Sequence, residues 1–258
     1  MNDLFWTDTG TGHPLVLLHG GFLDHRMWDD QIPAFASDHR VIAPDARGHG
    51  RSANATGPYR LTDDLAALLR HLDTGPAILV GLSMGGSIAI DTALEHPDLV
   101  SAVVISGSGT SEPYFTDPWT TQAMATWNAA MAAGDLDASV EGFMLFAAGP
   151  HRSLDAVDPE VVNRLRRMTR DTMSKHHPGE PNHLTAVRDT WERLPQINVP
   201  VLAVNGAIDS PDHLGMAERL TGLVPHGRTI SIEGTAHYPN MERPDAFNKL
   251  LGDFLRTL

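Results

Sequence analysis

One stretch of the chain, Gly81-Leu82-Ser83-Met84-Gly85-Gly86, has the residue types of a nucleophile on a sharp turn. It follows the apolar run 77–80 and leads into a helix-like segment that Pro97 ends. A strand, a serine between glycines and a helix in that order predict a nucleophile elbow, which exposes the serine oxygen at the strand end. Because a G-x-S-x-G string also arises by chance, the chain must in addition supply a base, an acid and an oxyanion hole.

Two further polar residues follow apolar runs in the same way as Ser83. Asp209 comes after the run 201–204, and His237 comes after the run 229–232. In an open parallel sheet, functional groups collect just past the carboxyl ends of the strands. We therefore expect Ser83, Asp209 and His237 to meet at one edge of a sheet, where they could form a catalytic triad.

The aspartate of this set has an alternative three residues further on. Asp212 also lies in the loop after the run 201–204, and loop aspartates are often turn formers or helix caps. Asp212 directly precedes a predicted helix and suits a capping role, which favours Asp209 as the acid.

Composition excludes several classes of function. The chain has 258 residues, of which 41% are hydrophobic, and its formal net charge is −13, which argues against nucleic acid or anionic membrane partners. It has no cysteine and therefore no disulfide or thiol chemistry. No apolar run reaches the roughly 18–20 residues that span a bilayer, and the N-terminal stretch lacks the pattern of a signal peptide. These features predict a soluble cytoplasmic protein.

The order of elements predicts an α/β fold with an insertion. Apolar strand-like runs alternate with helical periodicity in both end regions, which indicates a mostly parallel sheet flanked by helices. Between about residues 111 and 194 the strand pattern stops. Helical segments are predicted there at 119–133, 136–148, 159–175 and 182–193. We therefore predict a core domain of residues 1–110 and 196–258, with a helical cap of residues 111–195 inserted after a strand.

The motifs together resemble a known superfamily. They are Leu-Leu-His-Gly-Gly (17–21), Asp-Ala-Arg-Gly-His-Gly-Arg-Ser (45–52), Gly-Leu-Ser-Met-Gly-Gly (81–86), Gly-Ala-Ile-Asp (206–209) and Gly-Thr-Ala-His (234–237). Over nearly its whole length the chain resembles the capped α/β-hydrolases, a superfamily of esterases, lactonases, C–C bond hydrolases and cofactor-free perhydrolases. These motifs are specific for the superfamily and hardly specific for a substrate.

The resemblance implies a role for each motif residue. Ser83 would be the nucleophile, His237 the general base and later acid, and Asp209 the residue that orients His237. The backbone N–H groups of Met84 and Gly21 would form the oxyanion hole. Phe22 would line the pocket, or would donate in place of Gly21 if the loop is shifted by one residue.

Departures from individual subfamilies narrow the resemblance. Haloalkane dehalogenases and epoxide hydrolases have an aspartate at the elbow, so Ser83 excludes both. Proline iminopeptidases have His-Gly-Gly-Pro-Gly where this chain continues with Phe22-Leu23, which disfavours a peptidase. The esterase and perhydrolase branch often has an aromatic residue at the position of Gly21, and the glycine could enlarge the acyl side of the pocket.

Several side chains are candidates for the pocket wall. Phe22 and Tyr238 are placed there by the motifs, while the cap helices offer an aromatic and methionine stripe. Such stripes usually form ordinary core, but a cap must roof the site, so some members should face the substrate. The predicted substrate-binding residues are Phe22, Trp127, Met131, Phe146 and Tyr238.

The remaining histidines favour structural interpretations. His19 is expected to pack beneath the oxyanion loop, and His49 is expected to be structural. His176, His177 and His183 lack a coherent set of acidic partners, so we predict surface residues, no metal and no cofactor.

The leading functional hypothesis is a serine hydrolase that cleaves a carboxylic ester or lactone of a small, largely apolar substrate through an acyl-enzyme intermediate. A C–C bond hydrolase or a perhydrolase with the same triad is an alternative, and a ligand receptor on a hydrolase scaffold is another. Protonation of His237 should end activity with an apparent pKa of about 6–7. The oligomeric state is left open.

Overall fold

The computed structural model describes residues 3–258. Met1 and Asn2 lie outside the described residues. They are the first two residues of the predicted core segment and of the N-terminal stretch that lacks the pattern of a signal peptide. The described chain contains one seven-stranded sheet with the strand order β1-β3-β2-β4-β5-β6-β7. The strands are β1 (Trp6–Thr9), β2 (His13–Leu18), β3 (His39–Pro44), β4 (Ala77–Leu82), β5 (Val100–Ser106), β6 (Val201–Gly206) and β7 (Gly227–Ile232).

The sheet is parallel except at one edge. Only β1 runs antiparallel, against β3, while the pairs from β3 through β7 are parallel. β4 and β6 are buried along their whole lengths, as expected of near-continuous apolar runs in a sheet covered on both faces. The predicted fold class, a mostly parallel sheet flanked by helices, is confirmed.

Helices cover both faces of the sheet. The α-helices are α1 (Ile32–Phe35), α2 (Leu61–His71), α3 (Met84–Glu95), α4 (Pro118–Ala133), α5 (Leu136–Ala148), α6 (Pro159–Met173), α7 (Thr190–Arg193), α8 (Pro211–Leu223), α9 (Pro239–Glu242) and α10 (Pro244–Leu255). Short 3-10 helices occur at His25–Trp28, Pro97–Leu99, Leu154–Ala156 and Leu194–Gln196. Alternate residues of β2 enter two separate cores: Leu15 and Leu17 pack with α10, whereas Val16 and Leu18 pack with α2, α3 and α8.

Three helices of the predicted cap segment, named the cap helices here, form close to where the sequence places them. α4, α5 and α6 lie between β5 and β6 in the chain. Asp117 caps α4 by accepting a hydrogen bond from Thr120 N, and Asp135 caps α5 by accepting one from Ala138 N. Gly134 ends α4 in the left-handed conformation, and the next residue, Asp135, begins α5.

Two predicted helices are wrong in detail. The segment 182–193 is helical only at α7, because its first part pairs with another loop: Thr185 N donates to Tyr59 O at 2.8 Å, and Tyr59 N donates to His183 O. The sequence also predicts a helix from about Met27 to Phe35, and the structure divides this stretch into the 3-10 turn His25–Trp28 and α1. Pro33 lacks an N–H group and lies in the first turn of α1, where no donor is needed.

Within residues 3–258 the structure contains no helix with both the length and the apolar character needed to cross a membrane. The longest cap helix, α4, has 16 residues.

Close backbone contact joins the loops that follow β6 and β7. Ala207 N donates to Ile232 O at 3.0 Å, and Ile208 N donates to Thr235 O at 3.0 Å. A Cβ added to Gly206 would lie only 1.9 Å from Ala236 O, so only glycine permits this approach. Because Asp209 and His237 follow directly in these two loops, the contact at Gly206 determines how closely they approach.

The Gly206→Ala substitution should destabilise the protein by about 1–3 kcal/mol or more, because the new methyl group has to displace backbone rather than a side chain. Urea denaturation measures the free energy of unfolding. Gly215→Ala on α8 is the matched control: nothing lies within 4 Å of the added Cβ, and alanine should stabilise the helix by about 0.5–1 kcal/mol. A Gly206→Ala protein as stable as the wild type would contradict the close approach.

Candidate active site

Ser83 occupies a strained turn between β4 and α3. Its backbone has φ 54° and ψ −116°, in a region that a residue with a Cβ rarely adopts. The N–H of Ser83 donates to Ser106 O at 2.8 Å, which continues the pairing of β4 with β5 through the turn. The side chain is only partly buried, so its Oγ is held at the edge of the sheet within reach of solvent.

Glycines make this turn possible. A Cβ at Gly81 would lie 2.1 Å from Gly85 O, and one at Gly85 would lie 2.0 Å from Leu18 O. The helix therefore starts directly against the ends of β4 and β2. This arrangement is the one that the strand, serine and helix pattern predicts.

Asp209 and His237 form a buried pair at the same edge of the sheet. His237 Nδ1 donates to Asp209 Oδ2 at 2.8 Å, and the exposed fractions of the two residues are 3% and 2%. This bond leaves Nε2 of His237 as the nitrogen that can accept a proton. No hydrogen bond joins His237 to Ser83 Oγ within residues 3–258, and such bonds are often long without substrate.

Gly107 connects the pair with the elbow. It follows Ser106, which pairs with Leu82, and a Cβ at Gly107 would lie 2.8 Å from His237 Nδ1 and 2.9 Å from Asp209 Oδ2. Its N–H donates to Asn205 Oδ1 at 3.0 Å. Because Gly107 has no side chain, its backbone can lie directly against the pair of Asp209 and His237.

Asp212, the alternative acid, has other partners. Its Oδ2 accepts hydrogen bonds from Thr116 N at 2.9 Å and from Asp117 N at 3.0 Å. It thereby connects the start of α8 to the start of the cap helix α4. The residue that caps α8 is Ser210, whose side chain accepts from His213 N, so the helix-cap interpretation of Asp212 is wrong.

A second histidine shares the Asp209 carboxylate. His213 Nδ1 donates to Asp209 Oδ1 at 3.1 Å, and its ring stacks on that of His237 with centroids 4.3 Å apart. Ser210 N donates to the same oxygen at 2.7 Å. In the sequence, the signal for this contact is that His213 lies four residues after Asp209 at the start of a helix. His213 lies outside the motif 206–209, so the resemblance to the superfamily does not identify it.

These contacts determine the charge states of the pair. Burial alone would raise the pKa of Asp209, but the charges and hydrogen bonds of His237 and His213 outweigh it and hold that pKa well below its usual range. Burial lowers the pKa of His237, and the Asp209 carboxylate offsets only part of this effect. At neutral pH the pair is a carboxylate beside a neutral imidazole, which is the state a general base requires.

The loop after β2 places backbone donors beside the elbow. Leu23 N donates to Gly20 O, closing a tight turn in which Phe22 has a left-handed φ of 56°. Such a conformation is strained for a phenylalanine. A Cβ at Gly21 would contact only the Cβ of Met84, at 4.0 Å. The two residues that carry the predicted oxyanion donors are therefore neighbours in space.

A cavity of about 290 Å³ opens beside Ser83. Its wall includes Ser83, Met84, Asp91, Phe115, Val187 and His213. Apolar side chains cover most of it, but a row of hydroxyl groups and one carboxyl group line the side formed by α3 and by the loop after β5. Its volume is close to the lower end of the range for small-molecule sites.

The predicted pocket residues fall into three places. Phe146 packs against the catalytic edge, with its ring 6.2 Å from that of His237, and Trp127 packs on Phe22 with ring centroids 5.3 Å apart. Met131 and Phe22 line a second, larger cavity of about 1050 Å³ between the cap and the loop 47–59. Tyr238 is 1% exposed and belongs to the hydrophobic core. Of these five residues, none lines the cavity beside Ser83.

Two groups of side chains have the spacing of metal ligands within residues 3–258. They are Asp209 with His213 and His237, and Asp24 with His25 and Asp45. In both, the acidic oxygens already accept hydrogen bonds from protein N–H groups. The predicted surface histidine His176 instead contacts Gly48 O and Glu180.

Comparison with known proteins agrees with this architecture. A family model described as the alpha/beta hydrolase fold matches residues 13–244. The chain belongs to the α/β-hydrolase family. Its relatives include esterases, and the protein is a hydrolase.

Three similar proteins show the range of this family. The chain is 27% identical to the pimeloyl-(acyl-carrier protein) methyl ester esterase of Vibrio atlanticus, over 97% of each chain. The solved structure of an N-acyl homoserine lactone degrading enzyme is 28% identical, with a TM-score of 0.78 over 97% of this chain and 96% of that one. A bromoperoxidase from Bacillus anthracis is 26% identical, with a TM-score of 0.78 over 98% and 95% of the two chains.

His19 supports the loop that carries Gly21. Its Nδ1 donates to Gly20 O at 2.8 Å, and its Nε2 accepts from Ala46 N at 2.9 Å, so both ring nitrogens of the neutral form are bonded. Burial lowers the pKa of His19, and the neighbouring carboxylates only partly oppose this shift. Protonation at Nε2 would break the bond from Ala46.

His19 should make the folded protein sensitive to acid. Because its pKa is lower in the folded than in the unfolded state, stability is complete above about pH 6.5 and falls as the pH decreases, by up to about 1.4 kcal/mol per pH unit. His19→Gln can keep both hydrogen bonds without titrating, so its dependence of unfolding free energy on pH should be shallower. NMR titration of the His19 ring provides the direct check, and a pKa of 6.5 or above would contradict this account.

Proposed function

We propose that this hydrolase cleaves a carboxylic ester or lactone with Ser83 as nucleophile, through an acyl-enzyme intermediate. The observation that supports this most strongly is the buried 2.8 Å bond between Asp209 and His237 at the sheet edge where the elbow exposes Ser83. A buried carboxylate on Nδ1 fixes the tautomer in which Nε2 can remove the proton of a serine hydroxyl.

In the proposed reaction, Ser83 Oγ attacks the carbonyl carbon while its proton passes to His237 Nε2. The imidazolium then gives the proton to the leaving alcohol oxygen as the C–O bond breaks, which leaves an acyl group on Ser83. Water repeats the sequence, with His237 again as base, and releases the acid. The N–H groups of Met84 and Gly21 would stabilise the oxyanion, and the loss of one such donor typically reduces turnover about 10²–10³-fold.

The shape of the cavity supports a small substrate. A volume of about 290 Å³ holds a short acyl or alcohol group, and apolar side chains such as Phe115 and Val187 favour hydrocarbon contacts. Relatives named for a methyl ester and for a homoserine lactone support these two substrate classes. The helical segment 111–195 would be the cap that shields the acyl-enzyme, with Trp127 and Phe146 over the catalytic edge.

Peracid formation is a second candidate, because a bromoperoxidase shares the fold over nearly the whole chain. In that reaction hydrogen peroxide would take the place of water as the second nucleophile on the same acyl-enzyme. Turnover of a carboxylic acid plus peroxide, measured beside ester hydrolysis with the same enzyme, separates the two.

Ser83→Ala should abolish labelling by a fluorophosphonate and should reduce hydrolysis of short esters and lactones by at least about 10³-fold. The alanine variant retains the other groups of the site, so its circular dichroism and melting temperature should be close to those of the wild type. Ser37→Ala, which changes an exposed serine distant from the elbow, should be labelled normally. An unlabelled wild-type protein, or a fully active Ser83→Ala, would exclude the serine mechanism.

Hydrolysis should decrease on acidification as His237 takes up a proton. Because burial lowers the pKa of His237, we expect the acid limb of kcat/KM below pH 6.5, at the lower end of the range expected from sequence or beneath it. Asp91 titrates with a pKa raised by burial to about 6, so Asp91→Asn is the necessary control and should retain the limb. A rate that is constant between pH 5 and 8 would argue against His237 as the base.

A further inference from the structure

A row of polar side chains runs along α3 away from the nucleophile. Ser83, Ser87 and Asp91 are four residues apart, lie on one face of the helix and line the same cavity. With a rise of about 1.5 Å per residue, the backbone positions of Ser83 and Asp91 are about 12 Å apart. Asp91 thus lies at the end of the cavity opposite to the elbow.

The Asp91 carboxyl is buried without a sufficient set of partners. Its exposed fraction is 2%, and Oδ1 has no hydrogen-bond partner within residues 3–258. The hydroxyl and the backbone N–H of Ser111 lie close enough to lower the pKa of Asp91, but neither makes a hydrogen bond of good geometry with the carboxyl. A buried polar atom left unpaired typically costs about 1–3 kcal/mol, a cost that a bound ligand would remove.

Within residues 3–258 no cation forms an ion pair with this carboxyl, although Arg60 lies close enough for its charge to interact with it. Burial raises the pKa of Asp91 to about 6, with smaller contributions from the charges of Glu112 and Glu95. The neighbouring guanidinium groups of Arg60 and Arg193 both pair with Glu95, at 2.7 and 2.6 Å. The Asp91 end of the cavity is therefore an acceptor in an electronegative environment, which suits a hydrogen-bond donor and repels an anion.

We propose that Asp91 determines substrate specificity by binding a hydroxyl or ammonium group at the far end of the substrate. This inference rests on the proposed reaction at Ser83. The side chains of Ser83 and Asp91 both project into the space between the two backbone positions, which shortens the distance that a substrate must span. Because an extended chain advances about 1.2 Å per bond, the hydroxyl or ammonium group of the substrate would be about six to eight bonds from the reacting carbonyl. Substrates with a carboxylate at that position are rejected by the Asp91 charge.

Two ester series test this assignment. One consists of ethyl esters of six- to eight-carbon acids, and the other of acetates of four- to six-carbon alcohols, so that in both the end group is six to eight bonds from the reacting carbonyl. In each series the far end carries a methyl, hydroxyl, amino or carboxyl group. The two series are needed because the cavity could hold either the acyl or the alcohol part. In one of them the wild type should prefer the hydroxyl and amino compounds to the methyl compound by about tenfold in kcat/KM, which corresponds to about 1.4 kcal/mol.

Variants at position 91 separate charge from hydrogen bonding. Asp91→Asn keeps one acceptor oxygen, so it should retain part of the hydroxyl preference, lose the ammonium preference and accept the carboxyl compound better. Asp91→Leu should lose both preferences and gain activity on the methyl compound. Asp98→Asn removes the same charge from an exposed site outside the cavity wall, and should preserve the wild-type order of substrates. Circular dichroism of Asp91→Asn, which is close in shape to the wild type, monitors folding.

Binding to Ser83→Ala makes the result independent of turnover. Calorimetry should give tighter binding of the intact hydroxyl and amino esters than of the methyl ester, and the additional substitution Asp91→Leu should remove the difference. If esters are hydrolysed through Ser83 but all four end groups bind and react equally, the role of Asp91 is refuted and the proposed function stands. If no ester is hydrolysed while binding still depends on Asp91 and the donor, the serine mechanism fails and the Asp91 subsite stands.

Discussion

The bond between Asp209 and His237 is the interaction on which the site depends. A carboxylate and an imidazole are both buried here, and neither would be stable in this position alone. The distance of 2.8 Å between His237 Nδ1 and Asp209 Oδ2 requires the backbones of the loops after β6 and β7 to be in contact, which Gly206 permits. Because the two strands are parallel, both loops lie at the edge of the sheet that also holds Ser83. The sheet topology and Gly206 together therefore bring the three residues of the proposed triad to one edge.

The features that sequence could predict are local or follow from topology. The elbow is contained in six residues, since the glycines on either side of Ser83 are explained by contacts within the turn and with β2. Asp209 and His237 were predictable because each directly follows a buried parallel strand, and all such strands end at one edge. The cap helices α4 to α6 were predictable from periodicity and their stop signals.

The features that sequence could not predict depend on contacts between distant segments. Residues 182–189 are not helical: His183 O and Thr185 N form hydrogen bonds with the backbone of Tyr59, a pairing that no local pattern indicates. Tyr238 follows His237 directly, yet its side chain turns into the core and away from the cavity. The helix that contains His213 was predictable, but the role of His213 was not. That role depends on Asp209 accepting hydrogen bonds from two histidine rings at once.

The residues that line the cavity also modify the expectation of a largely apolar substrate. Apolar side chains such as Phe115 and Val187 favour an apolar ligand, but α3 contributes a serine and a carboxyl to the cavity wall. In a helix every fourth residue lies on the same face, so Ser87 and Asp91 line the same cavity as Ser83, the proposed nucleophile. An apolar residue at 91 would have completed a hydrocarbon pocket without desolvating a carboxyl. In the proposed function the elbow defines the reaction, and the helix that begins at the elbow defines which substrates are accepted.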